Sequence, residues 1–461
     1  MLSVLRHPTY RRLFTAQVLA LAGTGLATVA LSLLAYDLAG ADASAVLGTA
    51  LAIKMVAYVT VAPLIGAVAD RIPRRVLLVA TDLIRASAAL ALPLVDEVWQ
   101  VYVLILLLQA ASAAFTPAFQ ATIPDVLPDE RDYTRALSLS RLAHDLENLL
   151  SPALAAALLA FLPSGALFAG TAAGFLASAA LVASVLLPAP SPAERTGGVL
   201  TRAAFGTRLF LATPRLRALL ALELVVAAAG AMVLVNTVVL VRDVLARPAG
   251  DVALAFGAYG AGSMAAALSL PRLLDRVGDR ALMLPAAFLA TAVLALLPPG
   301  LSAAPGPWSW PALLAAWCAV GAATSAVLTP GGRLLRRSAA TADLPAAFAA
   351  RFSLAHACWL LTYPLAGWTA ARAGLTVSAG ALSGVALLAA VAAVRLWPRT
   401  DPDELEHVHP ELAPDHPHLR GAARRHAHDF RIDSLHPRWP GPDLTERPER
   451  PERPRSGRSA A

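Results

Sequence analysis

The chain has 461 residues, of which 57% are hydrophobic, 15% charged and 6% aromatic, with a mean hydropathy of +0.60. A soluble chain carries about 25% charge, so this composition excludes a soluble globular enzyme. At roughly 20 apolar residues per crossing, the chain ahead of Pro398 leaves room for about twelve membrane passages. From Pro398 onward eleven Arg face twelve Asp and Glu, so the net charge of +7 belongs to the membrane body, where it marks cytoplasmic loops. Lys54 is the only lysine. Cys318 and Cys358 sit in apolar runs and read as small core residues, without a disulfide framework or a metal knuckle.

In chain order, apolar runs bounded by charge, Pro and Gly fall at 13–36, 44–69, 76–95, 98–122, 136–162, 165–187, 216–241, 252–274, 281–299, 308–330, 346–371 and 374–397. The first follows Arg6, Arg11 and Arg12 and lacks a cleavage site, so it is expected to be a retained helix with a cytoplasmic N-terminus. Even-numbered loops then carry Arg71, Arg74 and Arg75, Arg131 and Arg135, Arg195 to Arg217, Arg272 to Arg280, and Arg333 to Arg337. Odd-numbered loops carry Arg242, Arg247 and Arg372. This asymmetry predicts twelve helices with both termini inside.

The longest internal polar stretch, Pro188 to Pro214, contains a basic, partly amphipathic segment and divides six spans from six. A weak repeat crosses that division. The loop after the second span reads PLIGAVADRIPRR and the loop after the eighth reads PRLLDRVGDR, so that Asp70, Arg71 and Arg75 recur as Asp275, Arg276 and Arg280.

The stretch GAVADRIPRR resembles the loop between helices two and three of the major facilitator superfamily, with Gly66, Asp70, Arg71, Arg74 and Arg75 matching and Pro73 in place of the usual glycine. The resemblance implies a conformational latch between two bundles, shared with Asp275, Arg276 and Arg280; the alternative is that these arginines only enforce topology. The run from Phe115 to Leu159 is similar to the branch that includes siderophore and macrolide exporters. Two positions depart from that pattern. Leu106 stands where the family has an arginine three residues before a fourth-helix glutamine, here Gln109, and Ser151, Ala155 and Ala156 flank Pro152 where glycines are usual.

Ionisable groups within a span are costly and usually face a cavity or a partner. In the fifth span Arg141, His144, Asp145 and Asn148 follow i, i+3, i+4, i+7 spacing and share one stripe, with Glu147 beside it. Arg141 and Asp145 can pair at i, i+4. Asp145 and Glu147 are therefore proton-carrier or cation-site residues, with His144 as ligand or relay, or else the stripe is a structural network. Lys54, mid-way along the second span, either pairs with a carboxylate from another helix or gives up its proton. Asp82 and Arg85, at i, i+3, read as a structural pair near the cytoplasmic end of the third span, and Glu223 in the seventh is open to either role.

Seven of the ten histidines lie between His407 and His436, six of them as H-x-H pairs: His407 with His409, His416 with His418, and His426 with His428. Neutral imidazole suits nickel, cobalt, zinc and copper, so these seven are expected metal ligands, unless they are merely a solvated tail. The run resembles the His-rich tails of nickel-resistance transporters in the same superfamily. Beyond Trp439 the repeat ERPERPERPRSGRS has the composition of a disordered segment.

The resulting expectation is an all-α polytopic protein of the inner (plasma) membrane, built as two six-helix bundles in the major facilitator fold. The bundles cover 1–187 and 216–397, joined by a cytoplasmic loop at 188–215 and followed by the tail at 398–461. Its expected function is proton-coupled export of a divalent cation, nickel first. The alternatives are efflux of an amphipathic drug or siderophore, and a non-transporting membrane metal sensor. No cofactor is expected beyond a divalent ion (nickel, cobalt or zinc) as substrate or tail ligand, and the partners are the lipid bilayer, the substrate and protons, with no nucleic acid, for a monomer. The sequence holds no P-loop, H-E-x-x-H or nucleophile motif that would argue for catalysis.

Overall fold

Runs of Leu, Ala and Val with few charges favour helix, and in lipid a helix is also the one open-ended structure that satisfies its own backbone. The computed structural model describes residues 2–39, 43–69, 71–163, 165–189, 198–248, 250–302 and 306–402, then 404–409, 412, 416, 418–419, 425–433 and 435–440. Its first half holds α1 (Pro8–Ala39), α2 (Ala43–Gly66), α3 (Arg74–Ala91), α4 (Val98–Val126), α5 (Glu130–Leu159) and α6 (Gly165–Ala183). Its second half holds α8 (Pro214–Val239), α9 (Gly250–Leu274), α10 (Asp279–Ser302), α11 (Ser309–Leu328), α13 (Leu344–Ala373) and α14 (Leu375–Leu396).

Two short helices were not expected as such. The amphipathic part of the central stretch is α7 (Val199–Ala212), and α12 (Gly331–Ser338) buries Leu334 and Leu335 beneath a basic face. The fifth helix starts at Glu130, earlier than the apolar run suggests, because the Asp129 carboxylate accepts the Asp132 N–H at 3.0 Å and caps it. A single residue, Gly374 at φ 88°, turns α13 into α14, a conformation that costs a side-chain-bearing residue dearly.

Among the described residues ten helical segments are long and apolar enough to cross a membrane, and α2 adds the shorter apolar stretch Ala52–Gly66. The helix α5 is not one of the ten: its run includes Arg141, His144, Asp145 and Glu147. Hydroxyls within the helices bond back to the preceding turn, as Thr81, Thr122, Thr171 and Thr291 do to the i−4 carbonyl at 2.8–2.9 Å, which satisfies them without water.

The halves pack alike. In the first, α1 lies on α6, α2 on α4 and α3 on both α4 and α6; in the second, α8 lies on α14, α9 on α11 and α10 on both α11 and α14. The seam between halves follows the same rule, α2 against α13 and α9 against α5. Glycines set the closest approaches: a Cβ on Gly262 of α9 would stand 1.9 Å from the Cys318 carbonyl of α11, and one on Gly321 of α11 would stand 1.9 Å from the Tyr259 carbonyl of α9. Cys358 is buried, whereas Cys318 is exposed and only its backbone takes part in this contact.

The residues from Arg399 onward form a unit of their own. There β1 (Glu404–Val408) pairs antiparallel with β2 (Arg425–Asp429), and Leu419, Phe430 and Ile432 are buried.

Gly262→Ala should lower the midpoint of thermal unfolding in detergent, since forcing a methyl into a filled contact costs about 1–3 kcal/mol or more. Gly257→Ala on the same helix, where a Cβ meets nothing within 4 Å, should leave it unchanged. Equal midpoints for the two variants would show that the α9–α11 contact is looser than described.

Candidate functional site

Two regions gather the ionisable groups: the seam between the halves and the C-terminal unit. In the seam, Arg141 Nη2 reaches Asp145 Oδ1 at 2.7 Å one turn along α5. Ser263, on α9 of the other half, donates its hydroxyl to Asp145 Oδ2 at 2.6 Å and accepts from Arg141 Nε and Nη2 at 3.2 and 3.0 Å. Asp145 and Ser263 are buried, so this three-membered network is a dry polar bridge from one half to the other.

Lys54 of α2 lies 5.6 Å over the Tyr58 ring and is the charge that acts electrostatically on both Glu147 of α5 and His356 of α13. Tyr58 donates to Gln109 Oε1 at 3.0 Å and stacks near Phe352 and His356, with ring centroids at 4.9 and 4.7 Å. His144 and His356 each spend Nδ1 on the carbonyl four residues back, Ser140 at 2.8 Å and Phe352 at 2.7 Å, which leaves Nε2 as the free ring nitrogen. The side chain of Asn148 lies outside the described residues.

Other intramembrane charges close on themselves. Asp82 pairs with Arg85, accepts the Ser178 hydroxyl at 2.7 Å, and the guanidinium lies between the Phe115 and Phe175 rings at 4.2 and 4.4 Å. Both residues are buried among α3, α4 and α6, within the first half and mid-way along α3, not at its end. Glu223 accepts from Arg351 Nε at 2.7 Å, and Arg351 also donates to the Leu328 carbonyl at 3.1 Å, so this pair knits α8, α13 and the end of α11.

The basic-loop end of the seam is arranged differently from the sequence reading. Asp70 lies outside the described residues, and Arg71, Arg75 and Arg276 are exposed. Arg74 is the buried arginine: its Nη1 reaches Asp125 Oδ2 at 2.5 Å and the Ala121 carbonyl at 2.8 Å at the end of α4. Gly66 acts by its smallness, since a Cβ there would stand 2.6 Å from that of Ala349 on α13.

In the second half the buried acid comes four residues after the one that the letters match, across the loop between α9 and α10. Asp275 is exposed and only 3.6 Å from Arg131, whereas Asp279 is buried against Arg333 and Arg337 at 3.2 and 3.8 Å. Arg280 is half-buried. Matching by the D-R-x-x-x-R letters pairs Asp70 with Asp275, but the acid that grips a partner is the second one in DRVGD. Arg333 then bridges the halves, reaching Glu130 Oε1 and Thr134 Oγ1 at 2.7 Å each, while Arg336 donates to the Pro128 carbonyl and lies 5.4 Å over the buried Tyr133 ring. Sequence reasoning treated Arg333 and Arg336 as topology charges and passed over Asp125, Glu130 and Ser263. The acids at the ends of α4 and the start of α5 were the available signal.

In the C-terminal unit, the strand register sets His407 opposite His426 and Leu405 opposite His428, which puts His407, His426 and His428 on one face. Four Nε2–Nε2 approaches follow: His409 to His436, His436 to His407 and His426 to His418 at 3.1 Å each, and His428 to His418 at 3.3 Å. Two overlapping sets, His407 with His418, His426 and His428, and His407 with His409, His418 and His436, have ligand atoms within 4.8 Å of one another. His416 belongs to neither; its Nδ1 accepts the His418 N–H at 3.2 Å. Burial and the neighbouring imidazoles push His407 and His418 down to about 4, against the carbonyl of Leu405 on His407, so both are neutral at pH 7, the form in which imidazole can bind a metal. Burial raises the Asp433 carboxyl, yet hydrogen bonds from the His436 side chain and backbone and from Leu435 outweigh it and hold the carboxyl below its ordinary range.

These features define a multi-pass helical membrane protein of two similar halves with a polar seam between them. The chain belongs to the Major Facilitator Superfamily, whose family model matches residues 13–245 and 219–428. The superfamily is one of transporters, not enzymes. Macrolide efflux protein A of Streptococcus pyogenes is 29% identical over 148 residues, 31% of this chain and 36% of that protein, and an uncharacterized MFS-type transporter of Bacillus subtilis, YfiS, is 27% identical over 146 residues, covering 31% and 35%. The matched part thus spans about a third of the length of these curated relatives. In fold, the chain resembles a bacterial homologue of the iron transporter ferroportin in an outward-facing state, with TM-score 0.71 and 14% identity over 84% of this chain and 99% of that one. It also resembles the human organic anion transporter MFSD10, with TM-score 0.71 and 15% identity over 84% and 99%.

Arg333→Ala should loosen the basic-loop end of the seam. With Cys318 and Cys358 replaced by serine and a reporter cysteine at the buried Ser138, a soluble maleimide should label the Arg333→Ala variant several-fold faster than its parent. Unchanged labelling would mean that glycine-mediated packing alone keeps that end shut.

Proposed function

We propose that the chain is a secondary active exporter of a bacterial inner membrane, with twelve crossings and both termini in the cytoplasm, that moves its cargo outward in exchange for protons. The first-choice cargo is a divalent transition cation, nickel ahead of others. Of the three helices outside the ten apolar segments, α2 and α5 are long enough to complete the count of twelve, and they carry Lys54 and Glu147, whereas α7 is too short to cross. The arginine-rich loops orient the closed end of the seam toward the cytoplasm.

One observation carries the reading: the seam holds two carboxylates of different standing two residues apart on α5, one turned to α9 and the other to Lys54 of α2. Asp145 is locked across the halves by Arg141 and Ser263, while Glu147 is half-buried beside Lys54. A proton delivered to Asp145 removes its charge, weakens the Arg141 pair and frees Ser263, so protonation and parting of α5 from α9 are one event. Glu147 is the exchange site: deprotonated it attracts a cation, protonated it repels none and releases it. His144, one turn before it on α5, would serve as ligand or relay; among the described residues His144, Glu147 and His356 do not converge as a ready ligand set in this arrangement. Moving one charge against the potential costs about 2.3 kcal/mol per 100 mV, so two protons entering per divalent cation cancel the electrical work.

A second reading, efflux of an amphipathic small molecule, is favoured by the aromatic file of Phe352, His356, Trp359 and Tyr363 on α13 facing Tyr58, and by the macrolide efflux relatives. Accumulation of individual metals and of a drug panel in cells with and without the protein separates the two. Nickel depletion is expected; depletion of drugs alone would replace the first reading by the second.

Glu147→Gln and Asp145→Asn should each abolish export driven by an imposed pH gradient in proteoliposomes, with cargo binding retained in Asp145→Asn. Wild-type rates in both would make the α5 stripe structural.

A further inference from the structure

The two overlapping histidine sets of the C-terminal unit share His407 and His418, and the ring positions show why. The centroids of His407 and His418 are 6.3 Å apart. Each of these two rings lies 4.7–5.0 Å from the rings of His409, His426, His428 and His436. Those four follow one another around a circuit, His409 to His426, His428, His436 and back, at 5.5, 5.3, 5.1 and 4.8 Å. Two apices equidistant from a four-membered belt make an octahedron. We propose that His407, His409, His418, His426, His428 and His436 form a single six-imidazole site for one divalent first-row transition cation, with His407 and His418 on opposite sides of it.

The nitrogen chemistry supports a cation at the centre. His407 and His436 turn Nδ1 to oxygen acceptors, the Leu405 carbonyl at 2.9 Å and the Asp433 carboxylate at 2.9 Å, so each Nδ1 carries the proton and each Nε2 is a bare lone pair. With both rings neutral, as metal binding requires, those two lone pairs stand 3.1 Å apart and cannot hydrogen-bond to each other. His428 is held in the same way, with Nδ1 on the Asp429 carbonyl at 2.8 Å and Nε2 3.3 Å from that of His418. A metal between them converts these repulsions into bonds. Metal–imidazole bonds are about 2.0–2.1 Å, which puts adjacent donors about 3 Å apart in an octahedron and about 3.3 Å in a tetrahedron; the observed spacings suit a closed shell of donors, and the six-ring arrangement fixes the octahedral count.

The oxygens on Nδ1 are the outer contacts that fix tautomer and orientation in metal sites, and the Phe430 ring, 5.0 Å from His407 and 4.8 Å from His436, walls off one side. Six imidazole nitrogens, joined by no oxygen or thiolate ligand among the described residues, favour an ion that takes octahedral nitrogen coordination, so Ni²⁺ binds more tightly than Zn²⁺, whose preference is for four ligands. The site stands on its own geometry and does not depend on what the membrane body carries.

The test uses the full-length protein in detergent, stripped of metal and titrated with NiCl₂ or ZnCl₂ by calorimetry, with X-ray absorption on the nickel-loaded sample. One nickel per chain with six nitrogen neighbours is expected, held more tightly than zinc. His418→Ala should weaken nickel binding at least tenfold, Asp433→Asn about 10–100-fold as an outer-contact change, and His416→Ala should leave it as in the wild type. Two ions per chain, a four-nitrogen shell, or zinc bound more tightly than nickel would overturn the site. So would a loss in His416→Ala equal to that in His418→Ala.

Discussion

A charged group in a bilayer has no water to fall back on, so it must be neutralised by another helix or be placed where water and cargo reach it. The helical body is arranged around that constraint. Asp82–Arg85 closes within the first half, sealed by Ser178 and two phenylalanine rings, and Glu223–Arg351 closes within the second. Each of these pairs fixes helices of one bundle to one another. Arg141–Asp145–Ser263 and the Arg333 bridge to Glu130 cross the seam instead. A pair within a bundle is kept whatever the bundles do, whereas a pair across the seam exists in only some of their arrangements, so the location of a pair decides whether it is scaffold or switch.

Close backbone contact supplies the rigidity that makes such a distinction meaningful. Because α9 and α11 meet through Gly262 and Gly321, and α1 and α6 through Gly23 and Gly174, each half is packed as one body. Gly66 serves the other purpose: a Cβ there would collide with Ala349 of α13, so it lets the halves touch at the basic-loop end, while Gly206 lets the connecting helix α7 lie against Ala346 of α13. The glycine of the family-like loop is therefore a contact residue of the seam as well as part of a turn. This is a physical reason for its spacing from the arginines.

The spans were legible in the sequence because the membrane writes hydrophobicity in long blocks, and the division into halves followed from the one polar stretch long enough to break them. The polar stripe of α5 was legible for the same reason, since Arg141 and Asp145 stand out against apolar neighbours and pair within one helix. What was not legible is everything that depends on a second helix. Ser263 carries no signal on its own, and nothing local says that Glu223 meets Arg351 or that Lys54 faces Glu147. The shift from Asp275 to Asp279 shows the limit of matching letters: the two acids stand at either end of a short loop, and only packing against α12 selects the buried one. In the tail the seven histidines were legible as a group, and His436 keeps its place in the cluster because Asp433 three residues earlier orients it, but His416 drops out.

The histidines of the two regions share one device and differ in number, and the difference fits different tasks. His144 and His356 in the seam, like His407 in the tail, commit Nδ1 to a backbone carbonyl and so present Nε2. A translocation site must release what it binds on every cycle, which calls for few ligands and for a neighbouring charge, such as Lys54, that competes with the cargo. Six convergent imidazoles have the opposite property, a deep and slowly exchanging hold. On the proposed reading, the seam is built for passage and the tail for retention, and the same ring in the same tautomer serves both because the count and charge of its neighbours set the affinity.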